Sequence, residues 1–327
     1  MTESLLILFA ALLLDRVVGD PPELWNRITH PVVWFGRAIA AFDRSFNGKR
    51  MTADLRRFNG AAAIAVLLAA SAFLGYLVHA ALDLLGLVGT VIEVALVAVF
   101  LAQKSLSDHV GAVATGLRTG GLDGGRNAVS MIVGRDPASL DGPGVCRAAI
   151  ESLAENFSDG VVAPAFWYAV AGLPGLFAYK LLNTADSMIG HKNKKYLEFG
   201  WASARLDDLA NIPAARLSVL LIAAGARLVS SMNAAWTAVD TALRDHGLHR
   251  SPNSGWPEAA MAGALGIGLA GPRIYAGVRV EEPMINASGR TDATANDIDR
   301  ALSIYGGACS ALAAMVLLAA AVVALLC

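Results

Sequence analysis

Between Phe58 and Gln103 the chain carries no lysine or arginine, and two apolar runs, Gly60–Ala81 and Leu84–Ala102, fill that interval almost end to end. A helix crosses the hydrocarbon core of a bilayer when roughly 20 of its consecutive residues are mostly apolar. Both runs meet that requirement, and only the short turn "HAALDLLGLVG" joins them. Two further segments resemble them: Ser4–Gly19, with Asp15 and Arg16 near its inner end, and Leu302–Cys327, which is the clearest of all. Composition agrees, because 55% of the residues are hydrophobic and 16% charged, whereas soluble globular chains are nearer one quarter charged. The mean hydropathy is +0.52. The expected fold is all-α and polytopic, an integral membrane protein with spans at about 4–19, 60–81, 84–102 and 302–327.

Lysine and arginine collect on the cytoplasmic side of membrane proteins. Eight lie between Arg16 and Arg57, at Arg16, Arg27, Arg37, Arg44, Lys49, Arg50, Arg56 and Arg57. That loop is therefore expected in the cytoplasm, the "HAALDLLGLVG" turn outside, and the chain after Lys104 in the cytoplasm again. Basic residues then recur in Lys104–Arg147, Lys192–Arg216, Arg244–Arg250 and Arg273–Arg300. The N-terminus has no basic leader region and no A-x-A-type cleavage site, so it reads as a retained first helix. A net charge of -1 and the lack of a basic arm argue against a nucleic-acid partner. Cys146, Cys309 and Cys327 are isolated, which speaks against a zinc site or a disulfide framework. No G-x-x-x-x-G-K-[ST], HExxH or GxSxG motif is present.

Within the basic second half, residues 161–182 are again long enough to span, but "GLPG" (Gly172–Gly175) sits at their midpoint. Proline removes a backbone donor and flanking glycines permit a reversal. Two half-helices could thus dip into the membrane and return, as re-entrant segments do where protein covers their backbone; a kinked full span is the alternative. The run 217–226 is too short to cross, and 259–277 is rich in small residues and ends in Gly-Pro, which suits close helix packing. The chain reads as one membrane-embedded domain, 1–327, with helical cytoplasmic loops and re-entrant or partly buried half-helices at 161–182, 217–226 and 259–277. Glu93 is expected near the outer end of its segment, where it is a candidate for proton relay.

Four polar stretches carry candidate chemistry. In "DRVVGDPPELWNRITHPVVWFGRAI", Asp20 and His30 precede prolines that force extended backbone; they are either helix caps on a rigid loop or, for His30, a substrate contact and proton acceptor. In "GRDPASLDGPGVCRAAIESLAENFSDG", Asp141 or Gly142 caps a helix with Pro143 in its first turn. On it Glu151, Glu155 and Asp159 share one face, with Asn156 beside them; the stripe is solvated or else holds Mg²⁺ or an Mg-nucleotide. The third stretch, "NTADSMIGHKNKKYLEFGWASARLDDLANIPAARLS", supplies Asn183, Asp186, Ser187, His191, Lys192, Lys194 and Lys195. It continues with Arg205, Asp207, Asp208, Asn211 and Arg216, a mixture suited to a metal–phosphate site or, for the lysines, to a membrane-orientation signal. In "SPNSGWPEAAMAGALG", Asn253, Ser254 and Gly255 stand where a helix start could offer N–H groups to phosphate.

Together, "GDPPELWNRITHPVVWFGRAI", "ESLAENFSDGVVAPAFWYAVAGLPGLFAYKLLNTADSMIGHKNKKYLEFGWASARLDDLANIPAARL" and "SPNSGWPEAAMAGALG" resemble the CobD/CbiB family, the adenosylcobinamide-phosphate synthases of cobalamin biosynthesis. The resemblance covers nearly the whole chain. It implies a multi-pass enzyme of the bacterial inner membrane, with its functional loops cytoplasmic. The implied reaction joins aminopropanol, as its O-phosphate, to the free propionate of adenosylcobyric acid, with ATP and Mg²⁺ as expected cofactors. Other corrinoid-pathway enzymes are the expected protein partners. In that setting His30, Glu155, Asp186, Asp207 and Asp208 are the candidate catalytic groups, Glu155, Asp159 and Asp186 the candidate metal ligands, and the remaining polar residues the candidate binding groups. A secondary transporter and a non-catalytic membrane scaffold for the corrinoid pathway are the competing readings.

Overall fold

Long apolar runs with no way to pair their backbone outside themselves become long helices, and the computed structural model is almost wholly helical. It describes residues 2–326 except 22–24, 135, 272, 276–277 and 281, and only the backbone of 273–275 and 278–280. In chain order the helices are α1 (Thr2–Val18), α2 (Pro31–Phe46), α3 (Ala53–Asp83), α4 (Leu87–Phe100), α5 (Gln103–Val129) and α6 (Gly142–Phe157). A π turn (Ser158–Val162) leads into α7 (Ala163–Ile189), followed by α8 (Trp201–Ala210), α9 (Ile212–Val229), α10 (Met232–Asp245), α11 (Gly255–Leu265) and α12 (Ala295–Leu326). Between α11 and α12, β1 (Leu269–Ala270) pairs antiparallel with β4 (Met284–Ile285), and β2 (Arg273–Tyr275) pairs antiparallel with β3 (Val278–Val280).

Among the described residues, five stretches are long and apolar enough to cross a membrane: Ala53–Asp83, Leu87–Val129, Gly142–Ile189, Ile212–Val229 and Ala295–Leu326. The expected spans at 60–81 and 302–327 are the apolar parts of α3 and α12. The expected short run 217–226 is the middle of an 18-residue helix, because Ile212–Arg216 add a turn before it and Arg227–Val229 a last turn after it. The 259–277 run is helical only to Leu265; Gly266, in the left-handed region (φ 68°), ends α11, and the rest enters β1 and beyond, with 272 and 276–277 outside the described residues.

The "GLPG" reversal is present. Gly172 has φ 60° and ψ -150°, a conformation essentially open to glycine alone. A Cβ placed on Gly175 would lie 2.4 Å from the carbonyl oxygen of Trp167. Residues eight apart in a straight helix are separated by about 12 Å, so α7 doubles back at Gly172. The tip is covered by protein: Leu173 is fully buried, and its carbonyl would stand 2.7 Å from a Cβ on Gly75 of α3. The same device, unexpected from sequence, reverses α5 at Gly121 (φ 60°, ψ -150°). There Gly116 and Gly124 face one another so closely that a Cβ on Gly124 would lie 2.4 Å from the Gly116 carbonyl oxygen.

The chain forms two compact units, one of Met1–Leu101, Ala163–Asn211 and Ala319–Cys327, the other of Ala102–Val162 and Ile212–Leu318. The first has Phe35, Phe100 and Phe177 in mutual ring contact at its core. Glu93, on α4, is buried in this unit. Burial of a carboxylate is costly unless it is hydrogen-bonded, and here the Tyr168 hydroxyl donates to it at 2.6 Å while the His79 ring lies 3.0 Å away. The second unit is centred on α11, whose residues from Pro257 to Leu265 are all buried. Phe157 and Tyr305 meet edge to face in its core, 5.5 Å between ring centres.

Candidate functional site

In the first unit the returning arm of α7 carries Tyr179, Asn183 and Asp186, and α8 carries Asp207 and Asp208. A chain of hydrogen bonds runs from the Tyr179 hydroxyl to Asn211 Oδ1 (2.9 Å) and from Asn211 Nδ2 to Asp207 Oδ2 (2.9 Å). The other Asp207 oxygen, Oδ1, has no hydrogen-bond partner among the described residues, although the side chain is buried. Burial, with the Asp186 charge as the next cause, pushes Asp207 up to about 7, against the pull of Asn211 and, more weakly, of nearby Asn183. A carboxyl that half-ionises near neutral pH can give or take a proton in catalysis. Asp208 is also raised, by burial, against the charges of Arg205 and Lys192; Arg205 stands 3.6 Å from it.

The neighbouring "HKNKK" segment is not uniform. His191, Lys192 and Lys194 are exposed, as a phosphate-binding strip requires. Lys195 is tied down: its Nζ meets Asp43 Oδ2 at 2.7 Å and the Tyr196 hydroxyl at 2.7 Å. Asp43 in turn accepts from Asn47, which accepts from Arg56, and Arg56 donates to the Lys194 and Lys195 carbonyls. Asp43, Asn47 and Arg56 form the clamp that shapes this loop, and no motif in the sequence pointed to them. Ser187 donates back to the Asn183 carbonyl one turn earlier.

His30 caps α2. Its Nδ1 accepts from Val32 N (3.2 Å), and its Nε2 lies 4.0 Å from Asp20 Oδ1. Burial holds the ring below its usual range, with Asp20 opposing. Of the two sequence readings for His30, the cap is the one its lone pair serves.

In the second unit, Asp141 caps α6 as expected, accepting from Gly144 N at 2.7 Å, with Pro143 in the first turn. The acidic stripe on α6 is tied into the rest of the second unit. Glu151, buried, accepts from Ala270 N (2.7 Å) and so holds β1 where Ala270 takes a left-handed φ of 59°. Glu155 accepts from Ser254 Oγ (2.9 Å). Asp159 falls in the π turn, whose wider winding breaks the 3.6-residue register that would stack it over Glu155. Among the described residues no group of three or more His, Cys, Asp or Glu side chains could hold a metal ion.

The "SPNSGW" turn places Asn253, Ser254 and Gly255 in the interior. The Asn253 and Ser254 N–H groups donate to Ser251 Oγ, and Trp256 N donates to the Asn253 carbonyl. Those donors are engaged inside the turn, so any anion there would meet Arg216 in their place. The Arg216 guanidinium donates to Asn253 Oδ1 at 2.6 Å and lies over the Trp256 ring at 4.8 Å. Two quoted stretches far apart in sequence, around Glu155 and Ser254, thus meet directly. Sequence reasoning missed the open cavity of about 410 Å³ in this unit, lined by Ser105, His109, Ser152, Asn156 and Gly160 together with apolar side chains. Its signals in sequence were Asn156 and a lone histidine one turn after a serine in "KSLSDHV".

Fold and clusters define a helical, polytopic membrane protein with reversed helices and polar groups gathered near their ends. The CobD/Cbib protein family model matches residues 8–305, and the chain belongs to that family. It is 66% identical over 318 residues to the "Cobalamin biosynthesis protein CobD" of a Sinorhizobium species, covering 97% of this chain and 98% of the relative. The protein of the same name from Brucella suis biovar 1 (strain 1330) is 54% identical, with 98% of each chain covered. That of Rhodobacter capsulatus is 49% identical, covering 91% of this chain and 92% of the relative. No solved structure matches the chain significantly.

Proposed function

We propose that this cobalamin-biosynthesis protein is an ATP-dependent amide ligase of the bacterial inner membrane, with its functional loops in the cytoplasm. It joins (R)-1-amino-2-propanol, as its O-phosphate, to the free propionate of adenosylcobyric acid, giving adenosylcobinamide phosphate. ATP first transfers its terminal phosphoryl group to the carboxylate. The amine nitrogen then forms a bond to the carbonyl carbon as the C–O bond to phosphate breaks; one N–H proton is lost before attack and the other leaves with the departing hydrogen phosphate. Membership of the CobD/CbiB family supports the pathway. The observation that carries an enzymatic reading is Asp207, a buried carboxyl with one unsatisfied oxygen, tuned to near neutrality beside Asp186.

In this reading Asp207, with Asp186 beside it, exchanges a proton at the phosphate end of the reaction, and Asp208 with Arg205 lies at its edge. Lys192, Lys194 and His191 meet phosphate oxygens; in the second unit Arg216, fixed on Asn253, is a separate candidate cation. Mg²⁺ favours a few carboxylates plus phosphates and water, and it would come with the nucleotide. Other enzymes of the corrinoid pathway are the partners to be sought.

A secondary transporter is the second reading, favoured by one observation: each unit contains a helix reversed at a glycine with φ 60° and ψ -150°. Paired broken helices are a transporter feature. The purified protein in lipid nanodiscs, given adenosylcobyric acid, Mg-ATP and the amine with or without its phosphate, separates the two. Amide product with one phosphate released per amide is expected. Corrinoid accumulation in sealed vesicles without amide would overturn the ligase.

A further inference from the structure

The cavity of the second unit has a lining whose fixed polar groups are one-sided. Among the described residues, no lysine, arginine, aspartate or glutamate lines it. His109 shares a hydrogen with the Ser105 carbonyl through Nδ1, at 2.7 Å. A carbonyl only accepts, so that hydrogen is on Nδ1 and the lone pair of the neutral ring is on Nε2. Asn156 is fixed in the same way: its Nδ2 donates to the Ser152 carbonyl (2.9 Å) and to Ser152 Oγ (3.2 Å), which turns Oδ1 into its remaining group. Ser152 Oγ is itself engaged, donating to the Ile132 carbonyl at 2.9 Å. The two fixed side chains of the cavity therefore offer acceptors, and its nearest cation along α5, Lys104, is ion-paired to Asp108.

We propose that this cavity receives the primary ammonium of the amino alcohol, held by Asn156 Oδ1, and that His109 Nε2 accepts the proton the ammonium must lose before it attacks. This rests on the ligase reading and deepens it. The N–H bond breaks toward His109, the electron pair stays on nitrogen, and the free amine is then competent to attack the acyl phosphate. A volume of about 410 Å³ suits a small amine with its waters and is too small for a corrinoid. With no cation in the lining, a phosphate on the same molecule stays outside while the ammonium end enters.

Two measurements test this. In a protein with Cys146, Cys309 and Cys327 changed to alanine, Met131→Cys puts a thiol on an exposed lining residue. 1-Amino-2-propanol should block maleimide labelling of that thiol, and propane-1,2-diol at the same concentration should not. Equal labelling with both compounds overturns the site, whatever the ligase assay gives. The second measurement is turnover of His109→Asn, which keeps a donor for the Ser105 carbonyl but lacks the base. Its kcat should fall by about 10²-fold or more, as loss of a general base does, while the amine still protects the introduced thiol when both changes are combined. Turnover within a few-fold of the parent overturns the role of His109. Absence of amide from the parent protein itself would refute the ligase reading, and the labelling result would still decide the ammonium site.

Discussion

Individual acids in the two units are handled in opposite ways. In the second, Glu151 and Glu155 each accept a hydrogen bond from a distant part of the chain, from Ala270 N and Ser254 Oγ. In the first, Asp207 keeps one oxygen without a partner and stands close to a second acid, Asp186. An acid whose lone pairs are satisfied by fixed donors works as a strut. One left unsatisfied in a low-dielectric setting holds its proton to near-neutral pH and can exchange it. A helical carboxyl is thus tied into the fold at Glu151 and Glu155 and, in the proposed reading, poised for chemistry at Asp207.

The largest expected effect tests that contrast on turnover. Asp207→Asn keeps an oxygen for Asn211 to donate to but cannot exchange a proton, and corrinoid-dependent ATP turnover should fall about 10²-fold or more. Glu155→Gln still offers an oxygen to Ser254 and should stay within about tenfold of the parent. The reverse ranking would break the comparison.

The next effect is on stability against pH. The folded-state pKa of Asp207 lies above that of an unfolded aspartate, so its proton stabilises the fold at low pH. That contribution is lost as pH rises from the ordinary carboxylate range through about 7. The slope approaches roughly 1.4 kcal/mol per pH unit within that window. Thermal unfolding in nanodiscs from pH 5 to pH 8 should show a Tm that declines in the parent and declines less in Asp207→Asn. Parallel curves would mean that Asp207 ionises normally.

A third test compares the two reversals. Gly121→Ala and Gly172→Ala introduce a Cβ at identical dihedrals with nothing packed close against it, so both incur strain alone, about 1–3 kcal/mol each. Similar losses in Tm are expected, and unequal ones would show that one turn relaxes. The smallest effect concerns the lysine strip. Lys195→Gln removes a largely exposed partner of Asp43 and should cost at most about 1 kcal/mol, with an unchanged KM for nucleotide. Neutralising Lys192 and Lys194 together should raise that KM. An effect of Lys195→Gln on KM as large as the double change would erase the distinction between clamp and strip.

Much of the architecture was legible because it depends on neighbours in sequence. The apolar runs became helices, "GLPG" became a reversal, and Asp141 with Pro143 became a helix start, each decided by the residues themselves and the few around them. The reversal at Gly121 was missed because "TGGLDGGRN" is polar and glycine-rich, the usual composition of a loop, whereas here the glycines let two helical arms touch. The candidate site was legible as residue types and not as roles. His30 read as either a cap or a base, and its Nδ1 caps α2; Lys195 looked like its neighbours and is clamped by Asp43.

By itself the sequence determined the helical, membrane-type fold, the place of one sharp turn and the family, since hydropathy, backbone freedom and motif spacing act over short stretches of chain. The tertiary structure decided which acid is satisfied and which is not, because each of those hydrogen bonds joins distant residues: Ser254 to Glu155, Ala270 to Glu151, Tyr179 to Asn211. A carboxylate's chemistry is set by the donors and charges within a few ångströms of it, and only folding determines which ones those are.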